Sequence, residues 1–165
     1  LLNILEDVIE RELDELHRNG VQLRHIGRLA RLDPRLQSQV HQAIDLTRGN
    51  QPLFLNIAWT YGGRDEIVHA IQQLIADGVA ASDVTEELVG RYLFTCDCPD
   101  PDLIIRTSGE MRVSNFLIWQ SAYAEWYVTP MYWPDFGREQ LLAALVEYAQ
   151  RERRFGQVPG PAAPG

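Results

Sequence analysis

The sequence has 165 residues, of which 45% are hydrophobic and 23% charged, and these are the proportions of an ordinary globular domain. Its formal net charge of −8 excludes a general nucleic-acid binder, because a phosphate backbone is held by clustered positive charge. No apolar run approaches the ~20 residues of a membrane span, and two cysteines are too few for a disulfide framework. These features predict one intracellular domain in which any anion site is local.

The first residues have the pattern of an amphipathic helix, with apolar side chains three and four positions apart. These side chains are Leu2, Leu5, Ile9, Leu13 and Leu16. Because the chain opens with Leu1 inside this pattern, we expect that an upstream segment is missing. Gly20 then ends the helix, and "VQLRHIG" is typical of a short strand.

A second helix is predicted from Asp33 as N-cap and Pro34 as first helical residue. Its inward face would carry Leu36, Val40, Ala43 and Thr47, ahead of Gly49 as terminator. The next stretch, "LFLNIAW" at 53–59, is almost continuously apolar. That pattern predicts a strand covered on both faces in a parallel sheet.

A glycine turn, "TYGG", follows this strand and leads into a third helix. The expected inner stripe of that helix is Ile67, Ile71 and Leu74. A shorter helix in "SDVTEELVGRYL" precedes the strand "DLIIR". Alternating strands and helices predict an α/β fold with a mostly parallel central sheet flanked by helices on both faces. Ligands of such sheets bind beyond the carboxyl ends of the strands.

A last helix is predicted to begin at Asp135 as N-cap. Its inward residues would be Leu141, Leu145 and either Tyr148 or Ala149. Residues 157–165 are proline, glycine, alanine, valine and glutamine with little to bury, which predicts a disordered tail. Residues 1–156 are therefore expected to belong to one domain.

A cluster of polar side chains follows the strand "DLIIR". Arg106 ends that strand, and the fork of an arginine binds phosphate or carboxylate through two hydrogen bonds. Arg112 adds a second fork, and Ser114 adds a hydroxyl and the expected N-cap of a helix beginning "NFLIWQ". Together they predict a diphosphate-sized anion pocket. The alternative is that Ser114 only caps a helix, while the arginines pair with Glu110 or Asp102 on the surface.

Glu125 is the carboxylate nearest to this cluster along the downstream chain. On one unbroken helix it would lie about 16 Å from Ser114, too far to serve the same phosphate. The β-prone run Trp126, Tyr127 and Val128 predicts instead that Glu125 begins a strand, from which it could turn back to the pocket. A carboxylate beside a diphosphate implies a bridging Mg²⁺. On spacing alone, a solvated glutamate is equally compatible.

The stretch "PDLIIRTSGEMRVSNFLIWQSAYAEWYVTPMYWPDF" closely resembles the C-terminal signature of the cis-prenyltransferases of the undecaprenyl diphosphate synthase type. "LNIAWTYGGRDEI" and the terminal "RERRFG" resemble two more motifs of this family, in the same order. The resemblance extends from the first helix to Gly156. It implies an undecaprenyl diphosphate synthase-like fold whose N-terminal part is missing here.

The resemblance implies a homodimeric transferase that uses Mg²⁺. It would condense isopentenyl diphosphate with an allylic diphosphate such as farnesyl diphosphate, and release pyrophosphate and a Z-polyprenyl diphosphate. A cytoplasmic location is expected, with a long-chain product drawing the enzyme to the inner face of the membrane.

Site residues are carried over only where the motifs match. The residues that would hold the diphosphate of isopentenyl diphosphate are Arg106, Arg112, Val113 and Ser114. Glu125 would bind Mg²⁺. Arg154 and Gly156 match an R-x-G element that reaches across the dimer to the partner's isopentenyl site, and the alternative for them is a basic C-terminal turn.

The sequence departs from the family pattern at three places. The Asp-Gly-Asn type loop that supplies the essential Asp is absent and expected upstream of Leu1. Thr60 stands where most relatives have Asn, and Ser108 to Met111 replace a Gly-Gly-Glu stretch that His or Gln follows. Two other functions remain open: a noncatalytic partner subunit of a heteromeric cis-prenyltransferase, and a phosphate-binding α/β domain without transferase activity.

Overall fold

The computed structural model of the protein describes residues 11–152. The chain divides into two compact units, with the boundary between Cys98 and Pro99. Each unit contains a two-stranded parallel sheet. Strands and helices alternate as the sequence predicts, and the α/β class is confirmed.

The first unit carries four helices and two strands in the described part of the chain. They are α1 (residues 11–18), β1 (Val21–Ile26), α2 (Pro34–Thr47), β2 (Leu53–Ala58), α3 (Gly63–Ala76) and α4 (Glu86–Tyr92). Two 3₁₀ turns, Leu29–Arg31 and Ala81–Asp83, lie between them. β1 and β2 pair in parallel, with Val21 opposite Leu53 and Ile26 opposite Ala58.

The second unit is built from β3 (Leu103–Arg106), β4 (Glu125–Val128) and α5 (Arg138–Ala149). Its 3₁₀ turns are Gln120–Tyr123 and Trp133–Asp135. β3 and β4 are parallel, so the segment between them must return along the sheet to the end at which β3 begins. This crossover carries most of the predicted anion site.

α2 forms the core of the first unit as predicted. The Asp33 side chain caps it by accepting a hydrogen bond from the Leu36 N–H at 3.0 Å, and Pro34 is the first helical residue. Its buried residues are Leu36, Val40, Ala43 and Thr47, the four expected ones. The first three pack with Leu23 of β1, whose N–H donates to the Thr47 hydroxyl, and the partly buried Leu13 of α1 packs against the same cluster. The 3.6-residue periodicity was therefore sufficient here.

Gly27 ends β1 at a position that requires glycine. Its φ is +124°, and a Cβ there would lie 2.5 Å from the carbonyl oxygen of Trp59. The close approach lets the segment after β1 meet the segment after β2, where the Thr60 hydroxyl donates to the Arg28 carbonyl at 2.8 Å. The carboxyl ends of both strands are thus tied together.

Three predictions about packing are wrong. β2 is not covered on both faces: Leu53 is 60% exposed and Phe54 45%. Its one strand neighbour in residues 11–152, β1, pairs with an edge of β2 and covers neither face. The inner face of α3 is rotated from the predicted stripe: Leu74 is buried as predicted, but Ile71 is exposed, and Glu66 and Ala70 are buried.

α5 is also shifted from its predicted start. It begins after Gly137, whose N–H donates to the Gln140 side chain at 3.0 Å, and Asp135 instead ends a 3₁₀ turn. Ala144 is the buried residue of α5, while Leu141 and Leu145 are exposed.

Several predicted features lie outside the described residues. They are Leu2, Leu5 and Ile9 of the first helix, Arg154, Gly156 and the tail 157–165. Within residues 11–152, the longest apolar helices fall short of what a bilayer crossing requires.

Candidate functional site

The carboxyl end of β3 positions Arg106 next to Ser114. The Arg106 Nη2 donates to the Ser114 hydroxyl at 3.3 Å, although eight residues separate them. The Arg106 Nε is buried and has no hydrogen-bond partner among residues 11–152. A buried, unpaired guanidinium N–H is costly unless a ligand accepts from it. Two of the predicted anion-binding residues are thus brought together, and one guanidinium N–H of Arg106 is left without an acceptor in residues 11–152.

A turn holds Arg106 in place. Ser108 N–H donates to the Met131 carbonyl at 2.7 Å, and Gly109 N–H donates to the Thr129 carbonyl at 2.8 Å. Both acceptors follow β4, so backbone hydrogen bonds fix the loop after β3 to the loop after β4. Ser108 and Gly109 have φ values of +64° and +66°, the left-handed conformation of a tight turn.

The expected helix beginning "NFLIWQ" is absent from residues 114–119. Ser114, Asn115 and Leu117 have φ values of +53°, +62° and +45°, which no right-handed helix accommodates. Only a 3₁₀ turn, Gln120–Tyr123, forms in this segment. The prediction that Ser114 caps a helix is wrong, and no helix N-terminus contributes to the site. The Ser114 hydroxyl faces Arg106 instead.

Arg112 follows the surface alternative. It forms a short ion pair with Glu110, and its side chain is 67% exposed. Val113 is also exposed. Arg112 therefore does not contact Arg106 or Ser114 in this structure, and its role at the anion remains a prediction.

Glu125 is the first residue of β4, as predicted. Its Oε2 accepts a hydrogen bond from Arg151 Nη1 at 3.0 Å, and the same nitrogen donates to the Trp126 carbonyl at 2.9 Å. Arg151 Nη2 donates to Glu147 of α5 at 2.6 Å. Glu125 is thus held from the end of α5, by a residue that the sequence did not single out.

The strand register separates Glu125 from Arg106. Glu125 is paired with Leu103 and Arg106 with Val128, so the two lie at opposite ends of the β3–β4 pair. Three residues of strand span about 10 Å. Within one chain, the structure does not bring the proposed metal ligand to the proposed anion donors.

Glu125 has the chemistry that Mg²⁺ requires. Mg²⁺ is commonly bound by one or two carboxylates together with substrate phosphates and waters, so a complete protein cage is not needed. Accordingly, in the described part of the chain no three His, Cys, Asp or Glu residues cluster as metal ligands. Arg151 occupies Oε2, and no residue in 11–152 donates to Oε1. One carboxylate oxygen is therefore available to a cation.

The junction between β2 and α3 contains a second network of charged groups. Asp65 accepts from Arg28 Nε at 2.5 Å and from Arg31 Nη2 at 3.0 Å. The Arg28 hydrogen bond, with smaller contributions from the charges of both arginines, holds the pKa of Asp65 below its ordinary value. These groups satisfy one another.

Glu66 is buried at the same junction and was missed by sequence reasoning. Its carboxylate accepts from the Tyr61 hydroxyl at 2.6 Å and from the Phe94 N–H at 2.8 Å. It thus ties the glycine turn before α3 to the segment after α4. Helical periodicity could not find it, because a glutamate on an apolar face has no local signal; its donors come from elsewhere in the chain.

A cavity of about 300 Å³ lies beside β1 in the first unit. Arg24 contributes to its wall, with Nε and Nη2 donating to Gln22 and Nη1 donating to the Asp97 carbonyl. The guanidinium also stacks on the Phe54 ring, 4.2 Å from its centroid. The donors of Arg24 at this cavity already have protein acceptors, unlike the Nε of Arg106.

Comparison with known proteins agrees with this fold. A family model described as "Putative undecaprenyl diphosphate synthase" matches residues 1–156. The chain is 48% identical over 162 residues to an isoprenyl transferase of Heliobacterium mobile, covering 96% of this chain and 62% of that protein. It is 43% identical over 160 residues to a ditrans,polycis-undecaprenyl-diphosphate synthase, (2E,6E)-farnesyl-diphosphate specific, of Vibrio vulnificus, covering 94% and 64%. The chain belongs to this prenyltransferase family, and it spans less than two thirds of the length of these relatives.

Solved structures of similar proteins lead to the same family. Lavandulyl diphosphate synthase from Lavandula x intermedia, crystallised with dimethylallyl diphosphate, superposes with a TM-score of 0.91 at 36% identity, covering 94% of this chain and 70% of that one. A probable undecaprenyl diphosphate synthase from Campylobacter jejuni gives a TM-score of 0.84 at 31% identity, covering 94% and 72%. The expected undecaprenyl diphosphate synthase-like fold is confirmed.

Proposed function

We propose that the protein catalyses Mg²⁺-dependent cis-prenyl chain elongation. It condenses isopentenyl diphosphate with an allylic diphosphate, such as farnesyl diphosphate, to give a Z-polyprenyl diphosphate of the undecaprenyl type. The names of the relatives support this, since one is specific for (2E,6E)-farnesyl diphosphate and a structural neighbour was crystallised with an allylic diphosphate. The proposal includes a cytoplasmic homodimer that the lipid product draws to the membrane surface.

The proposal rests mainly on the hydrogen-bond donors of Arg106. In the described part of the chain its Nε is buried without an acceptor, and its Nη2 is 3.3 Å from the Ser114 hydroxyl, so the guanidinium has a donor to offer to an anion. A diphosphate oxygen is the acceptor that matches the arginine fork. Arg106 and Ser114 thus bind the diphosphate of isopentenyl diphosphate, with Arg112 and Val113 in the adjoining loop.

The reaction needs charge stabilisation more than acid or base strength. The C1–O bond of the allylic diphosphate breaks, and pyrophosphate leaves with the electron pair. The double bond of isopentenyl diphosphate attacks the cationic carbon, and loss of a proton forms the new Z double bond. Arg106 contributes by fixing isopentenyl diphosphate for attack, because a positioned reactant avoids most of the entropy cost of the encounter.

Glu125 has a separate role in the proposal, because the register places it away from Arg106. It holds Mg²⁺, which when bound neutralises negative charge on a diphosphate. Arg154 and Gly156 complete the isopentenyl site of the partner subunit, as the R-x-G motif implies. The essential Asp that the family motif implies is not among the residues of this chain, which spans less than two thirds of the length of its relatives.

Incorporation of radiolabelled isopentenyl diphosphate by the full-length protein tests the proposal. With farnesyl diphosphate and Mg²⁺, we expect a long-chain Z product, and Arg106→Ala and Glu125→Ala should each lower the rate by two orders of magnitude or more, about 3 kcal/mol. Arg91→Ala, at an exposed pair on α4, is the control and should retain the rate.

Two results would contradict the proposal in different ways. Near-normal turnover in the Arg106→Ala and Glu125→Ala variants would remove the site assignment while leaving the reaction. Binding of isopentenyl diphosphate without any product would favour a partner subunit or a phosphate-binding domain.

A further inference from the structure

Arg151 joins three acceptors that belong to different elements of the second unit. Nη1 donates to the carboxylate of Glu125 and to the carbonyl of Trp126, both in β4, and Nη2 donates to Glu147 in α5. The Arg151 backbone N–H also donates to the Tyr148 carbonyl at 3.0 Å. The guanidinium plane is therefore fixed by partners other than Glu125, and it does not depend on that carboxylate for its position.

The charges around Arg151 leave the group attractive to a cation. Two carboxylates face one guanidinium, which gives a net charge of −1. A simple Glu125–Arg151 pair would be neutral and would compete with a metal for the carboxylate. Glu147, four residues before Arg151, accepts from the second guanidinium nitrogen, Nη2, and its carboxylate makes the net charge of the three groups negative.

The hydrogen bond to Glu125 uses only one carboxylate oxygen. Arg151 fixes Oε2, while Oε1 has no donor in residues 11–152. Metal-binding carboxylates commonly present one oxygen to the ion while a neighbouring residue hydrogen-bonds the other oxygen. Arg151 holds Glu125 in this arrangement. The side chains of Glu125 and Arg151 are about one third exposed, so a hydrated ion can approach.

We propose that Arg151 is a positioning residue, which orients Glu125 for a divalent cation and is itself anchored and charge-compensated by Glu147. This inference rests on the proposed function, because it takes Glu125 as the metal ligand. Arg151 does not touch the cation or the substrate. Its effect on the reaction passes through the geometry of one carboxylate.

Arg151→Lys is the sharpest test, because lysine keeps the charge but cannot donate to three acceptors in one plane. In the full-length protein, Mn²⁺ titration followed by electron paramagnetic resonance should give a dissociation constant about 10-fold higher than that of the unmodified protein. The Mg²⁺ concentration needed for half-maximal activity should rise by a similar factor. At saturating Mg²⁺ the turnover number should recover, which a merely structural defect would not allow.

Arg91→Lys is the matched control. Arg91 forms the same i,i+4 pair with a preceding glutamate, Glu87, at 2.8 Å, and both side chains are exposed to solvent. Mn²⁺ affinity should not change in this variant. Glu147→Gln is the second test variant: it removes the anchor of Arg151 and brings the net charge of the group to zero, and it should weaken Mn²⁺ binding severalfold while thermal denaturation shows a folded protein.

Glu125→Gln separates the two levels of the proposal. If Glu125→Gln weakens Mn²⁺ binding while Arg151→Lys and Glu147→Gln bind as the unmodified protein does, the positioning role is wrong and the metal ligand stands. If Glu125→Gln also binds Mn²⁺ normally, Glu125 is not the ligand, and both the inference and that part of the proposed function fall. Weakened binding in all three variants supports both.

Discussion

Two arginines close the carboxyl ends of parallel strands in this protein, and they differ in how their donors are used. Arg28 lies two residues beyond β1, and its Nε is paired with Asp65 at 2.5 Å. Arg106 ends β3, and its Nε is buried without an acceptor in the residues that the structure describes. Arg28 and Arg106 share the residue type and the position near the carboxyl end of a strand. Residue type and position alone therefore do not identify a binding site. The satisfied arginine stabilises the fold, whereas the unsatisfied one has a donor for a ligand.

Replacing each arginine with methionine should separate these roles. Arg106→Met should weaken binding of isopentenyl diphosphate by about 10- to 100-fold, the cost of a lost charge-assisted hydrogen bond. Its unfolding free energy should stay the same or rise, because an unpaired buried N–H is removed. Calorimetric titration and urea denaturation measure the two quantities.

Arg28→Met should behave in the opposite way. Loss of the pair with Asp65 should lower the unfolding free energy by about 1 kcal/mol, since Arg31 still contacts the carboxylate. Isopentenyl diphosphate affinity should be retained. If Arg28→Met weakened binding as strongly as Arg106→Met, the comparison between the two strand ends would fail.

Glu66→Leu tests the closed network at the β2–α3 junction. The substitution removes the carboxylate that accepts from the Tyr61 hydroxyl and the Phe94 N–H at a partly buried place, and we expect a loss of about 2–4 kcal/mol in unfolding free energy. Glu66→Gln should cost less, because the amide oxygen still accepts from Phe94. Urea denaturation measures both, with the exposed Glu87→Gln as a control within about 0.5 kcal/mol.

Asp65 should make part of the stability depend on acid pH. Arg28 lowers the pKa of this carboxyl from its ordinary 3.8, so between that value and the folded-state pKa the unfolded chain binds a proton that the folded chain does not. The contribution is complete above the ordinary pKa and is lost as the pH falls through the folded one. Denaturation of the protein and of Asp65→Asn below about pH 5 should therefore show the two stabilities converging.

Thr60→Asn should give the smallest effect, in the stabilising direction. Thr60 has a φ of +52°, a conformation that β-branched residues disfavour and asparagine tolerates. The Asn side-chain N–H can replace the threonine hydroxyl as donor to the Arg28 carbonyl. We expect a gain of up to about 1 kcal/mol, measured by thermal denaturation. A loss would show that the hydroxyl geometry matters more than the backbone strain.

The parts of the fold that local chemistry controls were predictable from the sequence. Asp33 and Pro34 start α2 at the expected residue, and its four inward residues follow from helical spacing. The strand that begins at Glu125 follows from the β-prone residues after it. In each case the signal and the structure lie within a few residues of one another.

The parts that depend on distant partners were not predictable. Glu66 is buried because Phe94 donates to it from 28 residues away, and this rotates the inner face of α3 from the apolar stripe. The left-handed residues after Ser114 break a helix that the side-chain pattern alone would allow. At the site, the residue types at Arg106 and Ser114 gave the anion chemistry, but only the structure separates Arg112, which pairs with Glu110, from the other two.

The left-handed backbone at Ser114 has a consequence for selection. Glycine would adopt a φ of +53° without strain, so serine at this position costs the fold about 1 kcal/mol. A library of variants sorted only for thermal resistance should drift to glycine here. One sorted for growth that depends on the enzyme should keep the hydroxyl, and the disagreement between the two libraries would mark position 114 as retained for chemistry at the expense of the fold.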